Sequence, residues 1–517
     1  MQKKGRKNER FLLDFIIKNS NYETLNKNEQ TDCLIVGSGI VGLTTAYLLA
    51  KENREVIIID ANTVGGGSSG RNTGKVTSQH GLIYNAISKK HSPKKARMYY
   101  DANEEGMKLV EDIVNEHNIS CDLKKVPSFV YTLDENYIKD IKNEYETCKE
   151  LKIPCDYYDH INGIPLDVKG ALCFKEQIQF HPKKYINQLA KINKDLGVKI
   201  YENTSAIDIE VAEKCVIKTD KGYSIECNNL IIASSNPWYD GLRLYFAKEE
   251  ASRSYLICTK LKEKILDGNY INVEEPRRTF RNYEDESGER YLIIGGQDHK
   301  TGKCDNEGES YDIIEDYAKN NFKVGEVISK WSAQDYLPYD EVPYIGRINS
   351  KENNIYIVTG TNKWGLSNGS IGAKIITDLI TKNSSEYEEL YNPSRVKSYL
   401  NSKFIESSVE MAYDYIKGKI NSGDDRLPQK DEGKTITING ERYGAYRDAK
   451  GYLYIVDITC THLGCELRFN SAEKSWDCPC HGSRFNYKGE ILNGPALKPL
   501  KLYGEGENHI DPKIFWL

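Results

Sequence analysis

A chain of 517 residues has room for two or three domains, each burying its own core, so neither disulfides nor metal are needed merely to fold. The net charge of −5 arises from 71 basic and 76 acidic residues mixed along the chain, without the basic stripe that neutralises phosphates, and this excludes nucleic-acid binding. Of 13 cysteines, those from Cys33 to Cys304 are scattered singly, as reduced thiols of a cytosolic protein are, and only the last four form a pattern.

Residues 1–30 read as an N-terminal arm. MQKKGRKNER followed by FLLDFII has the outline of a secretory signal, but Asp14 interrupts an apolar run that is too short. No later stretch approaches the ~20 apolar residues of a spanning helix. The expectation is a soluble cytoplasmic protein with no membrane partner.

Asp32 to Val36 predicts a short apolar strand, followed by Gly37-Ser38-Gly39-Ile40-Val41-Gly42, a helical run to Asn53, and a second strand from Glu55 to Ile59 that ends in Asp60 and Ala61. A lone GxGxxG is weak; strand, glycines, helix and terminal acid in this order form a dinucleotide-binding βαβ unit. Gly37 permits the turn, Gly39 lets a pyrophosphate approach, and Gly42 allows close helix–strand packing. Amides at Ile40 and Val41 start the helix that faces the phosphates, and Asp60 accepts a ribose hydroxyl.

The next segment, Gly65 to Gly74, contains Ser68, Ser69, Arg71, Asn72 and Thr73. It resembles the second glycine- and serine-rich segment of the D-amino-acid oxidase family, which lies along the FAD diphosphate and ring. Further segments resemble that family in order: Gly197 to Thr204, Leu230 to Ser234, Pro343-Tyr344-Ile345-Gly346, and Ile355 to Gly360 leading through TNKWGLSNGS into a helix to Ile380. The resemblance implies a Rossmann-like α/β FAD domain of the glutathione-reductase type with an α+β substrate domain, over residues 31–392. FAD segments are expected at 31–90, 181–240 and 331–392, and substrate segments at 91–180 and 241–330. It also implies that amides near Gly365, Leu366 and Ser367 face the flavin, where a helix start stabilises negative charge. Relatives that bind flavin covalently often carry a histidine where this chain has Asn72, so the expectation is non-covalent FAD. His80 reads as an ordinary loop histidine.

For the substrate, Arg278 and Arg281 precede an expected strand Tyr291 to Ile294 and turn Gly295-Gly296, a context resembling that of the carboxylate-binding arginine in amino-acid-oxidising relatives. Arg281 is the candidate, with Arg278 assigned to a charged surface hairpin. His299 and His181 either face the flavin or satisfy loops, and His299 joins the candidates. Lys363-Trp364, just before the flavin-facing glycine, is expected to line the pocket, and Asp335 reads as a structural turn residue.

Residues 393–425 form an expected helical linker ending in the polar break NSGDD. Beyond it, residues 426–517 alternate as short strands, with turns at Asn439-Gly440 and Lys450-Gly451, consistent with a small all-β module. Cys460 and His462 stand in CTHLGC, Cys478 and His481 in CPCHGS. Two thiolates for one iron and two imidazoles for the other mark a Rieske [2Fe–2S] cluster. A tetrahedral zinc ion is the alternative. Both loops carry an extra cysteine, Cys465 and Cys480. The module resembles the Rieske proteins of cytochrome bc and b6f complexes, and that resemblance implies a Cys465–Cys480 disulfide and a proline loop at Gly494-Pro495-Ala496. Of two hydrogen-bond donors to sulfur in the high-potential members, the serine is present as Ser483 while the tyrosine position holds Phe485.

A flavin of this family takes two electrons from a C–H bond, commonly beside an amine, whereas the cluster carries one. The expected function is oxidation of a small amine or amino acid at FAD, with single electrons passing through the cluster to an external acceptor from an exposed imidazole edge. Flow in the reverse direction, or a redox sensor or carrier without turnover, are the alternatives. A Rieske oxygenase needs a mononuclear iron site of two histidines and a carboxylate, and among nine histidines no pair outside the cluster stands at short helical spacing.

Overall fold

The computed structural model describes residues 22–285, 287–304, 306–395 and 426–506. The apolar run near the N-terminus, the linker over 396–425 and residues 507–517 lie outside them. Among the described residues no helix is long and apolar enough to cross a membrane.

The first sheet is built on five parallel strands in the spatial order Ile355–Thr359, Ser224–Ile232, Glu29–Val36, Val56–Ile59, Lys199–Tyr201. Tyr344–Arg347 adds an antiparallel edge. Val56–Ile59 and Ile355–Thr359 are buried at every position, as strands covered on both faces require. Between Glu29–Val36 and Val56–Ile59 runs the helix Ile40–Lys51, which also packs against the helix Gly365–Lys382. Most of the 40–51 helix is buried, so its sequence has no wide polar face. The helix reaches its strand only because two glycines allow it. Gly37 adopts φ +117°, and a Cβ on Gly42 would lie 1.8 Å from the Gly37 carbonyl oxygen.

The second sheet is mixed and runs Val324–Pro338, Glu249–Leu261, Arg290–Lys300, Arg278–Glu284, Asn269–Asn272, Lys124–Thr132, Gly170–Gln179, Lys75–Val76. Its 290–300 strand continues through Gly295 and Gly296, where the sequence predicts a turn. A register irregularity against Arg253 and Tyr255 absorbs the glycines without ending the ladder.

The long antiparallel ribbon made by 249–261 and 324–338 organises the molecule. Its register sets Ser252 opposite Asp335, Arg253 opposite Gln334 and Ser254 opposite Ala333. Directly opposed residues share a face, and successive residues alternate. One face carries Ser254, Ala333 and Asp335; the other carries Arg253, Tyr255, Gln334 and Tyr336.

The C-terminal unit consists of two four-stranded antiparallel sheets. Asn439 and Gly440 both have positive φ in the hairpin between Glu432–Ile438 and Glu441–Arg447, as an Asn-Gly turn expects. This unit docks on the second face of the ribbon. Arg253 pairs with Glu473 at 2.9 Å, and Tyr311 donates to the same carboxylate at 2.9 Å. Gln334 Nε2 donates to the Gly482 carbonyl at 2.9 Å and Tyr336 to the Gly494 carbonyl at 3.3 Å. A Cβ on Gly482 would stand 2.2 Å from Ala251 Cβ, so only glycine lets the backbones meet.

Replacing Gly42 with alanine forces the helix off its strand. The expected cost is about 3 kcal/mol, the upper end for overpacking, read as a shifted urea midpoint together with a lower FAD content of the purified protein. Unchanged values for both would contradict the packing described.

Candidate functional site

A cavity of about 890 Å³ opens between the two sheets and is walled on a third side by residues 490–497 and Pro499 of the C-terminal unit. Its long arm follows the βαβ unit. Gly37, Gly39, Ile40, Val41, Asp60, Ala61, Ser68, Ser69, Arg71, Asn72 and Thr73 line it. Asp60 accepts hydrogen bonds from the Ser38 amide and hydroxyl, each at 2.7 Å, and from the Asn62 amide at 2.8 Å. Ser69 Oγ accepts from the Ile40 amide at 3.0 Å, bringing the second glycine-rich segment onto the first turn of the helix. Ser68 donates to the Gln334 carbonyl at 2.6 Å. Asn72 ties its own segment, donating to the Ser69 carbonyl at 2.7 Å and accepting from the Gly74 amide at 2.8 Å.

FAD fits this arm on two grounds. A Cβ at Gly39 would fall 2.7 Å from Ser69 Oγ, so the glycine keeps the cradle open for a diphosphate. Buried polar atoms also face the cavity without partners: both amide atoms of Asn236 and the indole nitrogen of Trp238.

Gly360, Gly365 and Leu366 line the cavity as well. Four other residues read as cofactor contacts lie behind the lining. Gly42 is under the helix, Gly74 is against Phe180, Gly346 is beneath Pro393, and Ser367 is hydrogen-bonded to His80 at 3.0 Å. His80, read as a loop residue, lines the cavity and stacks on Trp364 with centroids 4.7 Å apart. Its Nδ1 meets the Tyr99 hydroxyl and its Nε2 the Thr77 carbonyl, each at 2.7 Å. A carbonyl only accepts, so Nε2 carries the hydrogen. Burial lowers this imidazole to about 3, against the pull of the Thr77 carbonyl, so it is neutral.

The three candidates for substrate chemistry separate. Lys363 lines the cavity, with Nζ 2.7 Å from Asp298 and 3.2 Å from Ser254 Oγ. Arg281 does not reach it. The guanidinium is buried beneath the 73–74 backbone, donating from Nε to the Thr73 carbonyl and from Nη2 to the Phe180 carbonyl at 3.3 Å. Arg278 is likewise buried, over the Tyr317 ring. His299 is outside the lining and stacks on Tyr255, because strand alternation sends Asp298 to the cavity and its neighbour to the other face. His181 caps the helix Pro182–Asp195. Asp335, read as a turn residue, is in mid-strand on the cavity face.

In the C-terminal unit the two loops have matching turns. Gly464 donates to the Cys460 carbonyl at 2.9 Å and Gly482 to the Cys478 carbonyl at 3.0 Å. The Cys465–Cys480 disulfide joins them. His462 and His481 lie with ring centroids 5.0 Å apart and planes at 87°. The Nδ1 atoms of both are buried without a hydrogen-bond partner. Two thiols and two orphaned imidazole nitrogens are the donor set of a mixed-ligand [2Fe–2S] cluster. The two thiols act on each other: the Cys478 thiol and nearby amides lower Cys460, while the same contact with burial raises Cys478.

The imidazole edge is not the free exit that the sequence suggests. Phe246 stands edge-on to both rings, 4.7 Å from each centroid, and both histidines are half-buried. Nothing in the spacing of the motifs points to Phe246, which precedes the 249–261 strand by three positions and arrives through the docking of the two units. The ribbon residues Gln334 and Tyr336 carry no sequence signal either.

Comparison with known proteins agrees with both halves of this geometry. The sequence profile of the family described as FAD dependent oxidoreductase matches residues 32–379, and that of the Rieske [2Fe-2S] domain matches residues 422–504. A putative Rieske 2Fe-2S iron-sulfur protein, YhfW of Bacillus subtilis, is 38% identical over 485 residues, covering 93% of this chain and 94% of its own. The γ-glutamylputrescine oxidoreductase of Escherichia coli is 23% identical over 388 residues, 72% of this chain and 88% of its own. The crystal structure of glycine oxidase from Geobacillus kaustophilus superposes with a TM-score of 0.60 at 16% identity, over 71% of this chain and all of that one. The chain belongs to the FAD-dependent oxidoreductase family and carries a C-terminal Rieske domain, so its cofactors are FAD and a [2Fe–2S] cluster.

Proposed function

We propose that this oxidoreductase oxidises a small amine or amino acid at its flavin and delivers the electrons singly, through the Rieske cluster, to an external acceptor in the cytoplasm. FAD supplies acceptance of an electron pair and the cluster supplies one-electron exchange. The observation that carries the reading is the two-faced ribbon. Gln334 lines the flavin cavity, and its side chain donates to Gly482, the residue next to the cluster ligand His481. Tyr336 bridges in the same way to Gly494 of the proline loop. The similarity to γ-glutamylputrescine oxidoreductase, whose name specifies an amine, supports an amine-type substrate.

The residues around the cavity each do limited work. The start of the 365–382 helix turns its amides and the positive end of its dipole toward the cavity at Gly365 and Leu366. Neutral His80 and the Trp364 ring make an uncharged wall. The ion pair with Asp298 holds Lys363 in place and keeps that carboxyl below the ordinary range although burial acts against it. Asn72 offers no nucleophile, and its amide is engaged by its own segment, which supports dissociable FAD.

Anaerobic addition of amines and amino acids to the loaded protein is expected to bleach the flavin and raise the EPR signal of a reduced cluster. Bleaching without the EPR signal contradicts the electron path, and absence of both favours a sensor or carrier. Acid precipitation is expected to release the yellow chromophore into the supernatant; colour retained in the pellet contradicts non-covalent binding.

Phe485 sets a further expectation. It is fully buried at the place of a hydroxyl donor, while Ser483 remains, accepting from the Ala496 amide at 3.0 Å and hydrogen-bonding Cys460. The midpoint is expected in the lower part of the Rieske range of roughly −150 to +300 mV. Phe485→Tyr should raise it by roughly 40 mV, the one-electron equivalent of about 1 kcal/mol for a hydrogen bond. A redox titration that shows no rise, or a parent value near the top of the range, refutes the assignment.

A further inference from the structure

The cavity face of the ribbon carries a carboxylate that no neighbour claims. Asp335 lies two positions along the strand from Ala333, which opposes Ser254, and Ser254 Oγ is within reach of Lys363 Nζ. The period of two therefore places Asp335 on the same wall as Lys363 and Asp298, and it lines the cavity. The charges that act on it are Lys363, Asp298 and Arg253, and among the described residues none donates a hydrogen bond to it.

Four cations line the cavity: Arg71 stands in the long arm beside Ser68 and Ser69 of the FAD cradle, and the other three, Lys363, Arg277 and Lys75, are engaged. Lys363 is 2.7 Å from Asp298, leaving the pair neutral. Arg277, at the rim, is half-exposed and faces Glu275 at 3.7 Å. Lys75 is buried, held by the Tyr270 carbonyl at 2.8 Å and by the Thr279 hydroxyl, and desolvation beside Arg281 pushes its ammonium well below the ordinary range. Arg281 and Arg278 are committed elsewhere. Of the other carboxylates in the lining, Asp60 accepts from Ser38 and Asn62, Asp298 pairs with Lys363, Glu341 with Lys90 and Asp220 with Lys221, and Glu490 accepts from Asn486, which leaves Asp335, in a wall that also offers Trp364 and Leu256. Asp335 is half-buried, and a carboxylate partly withdrawn from water without a partner is costly unless a cation arrives to pair with it.

We propose that Asp335 anchors the ammonium group of the substrate, and that the substrate is a cationic amine held without a carboxylate contact rather than an α-amino acid. This rests on the reading of the flavin site as amine-oxidising and narrows it. Burial holds Asp335 up at about 6, with Lys363 opposing and Asp298 reinforcing. The carboxylate is ionised above that value, so affinity for a cation is present above about pH 6 and is lost as pH falls through it.

The test uses the full chain loaded with both cofactors and a matched pair of probes with no C–H bond beside the functional group. These are 2-phenylpropan-2-amine and its carboxylate counterpart, 2-methyl-2-phenylpropanoate. Calorimetric titration is expected to show the amine binding at least tenfold more tightly than the carboxylate, with that advantage lost below pH 6. Asp335→Asn should weaken the amine at least tenfold at unchanged FAD content, and Asp335→Glu should recover part of the loss. Equal or tighter binding of the carboxylate, binding of neither probe, or an unchanged amine affinity in Asp335→Asn overturns the proposal. Should Asp335→Asn fail to retain FAD, the probe pair and its pH profile on the parent protein decide. Benzylamine, which can be oxidised, separates the two readings. Probe binding without flavin bleaching by benzylamine sinks amine oxidation but leaves the anchor, whereas bleaching by α-amino acids but not by amines sinks the anchor alone.

Discussion

Alternation along two paired strands is the constraint on which this molecule depends. In the middle of the ribbon of 249–261 and 324–338, alternation turns the side chains of Ser254, Ala333 and Asp335 to the flavin cavity and those of Arg253, Gln334 and Tyr336 to the Rieske domain. The ribbon is therefore a single β-layer with the cavity on one face and the Rieske domain on the other, while residues 490–497 close the cavity from the side. A slip of one residue would send Asp335 toward the Rieske domain and Gln334 toward the cavity. The register is held from outside as well as within, since Arg253, buried at 2% exposure, is fixed by Glu473 and by the Ser332 hydroxyl.

The two cofactor sites are built by different means. The FAD cradle depends on close backbone approach and on amides that point into open space, so glycines dominate it and few side chains are specific. The cluster site depends on four side-chain donors presented by two short turns, so cysteine and histidine dominate it. Around the substrate end neither rule applies. There, an ion pair, a neutral histidine and a lone carboxylate emerge from strands that look alike in sequence, and their identity as a site exists only in three dimensions.

This division explains what was legible beforehand. GSGIVG with its following acid, and CTHLGC with CPCHGS, are local patterns whose chemistry needs fixed spacing along the chain, and both were readable from residues alone. The parallel strands were readable as apolar runs, apart from small shifts of their ends. Arg281 and His299 were misdirected for one reason: residue type suggested a role, but direction on a strand decides it, and direction depends on register against neighbours remote in sequence. Phe246 and Gln334 have no local signal, because each acquires its meaning from a segment more than a hundred residues away, and the place of Asp335 on the cavity face follows only from strand register. The Gly295-Gly296 pair predicts a turn because two glycines usually end a strand, whereas here the sheet passes through them.

The ring of Phe246, lodged against both cluster histidines, bears on kinetic order. Because the imidazole edge meets the same chain's FAD domain, any exchange between the two centres is unimolecular and insensitive to dilution. It also avoids the translational and rotational entropy that two separate carriers lose on each encounter. Only a step that involves a second molecule then depends on concentration.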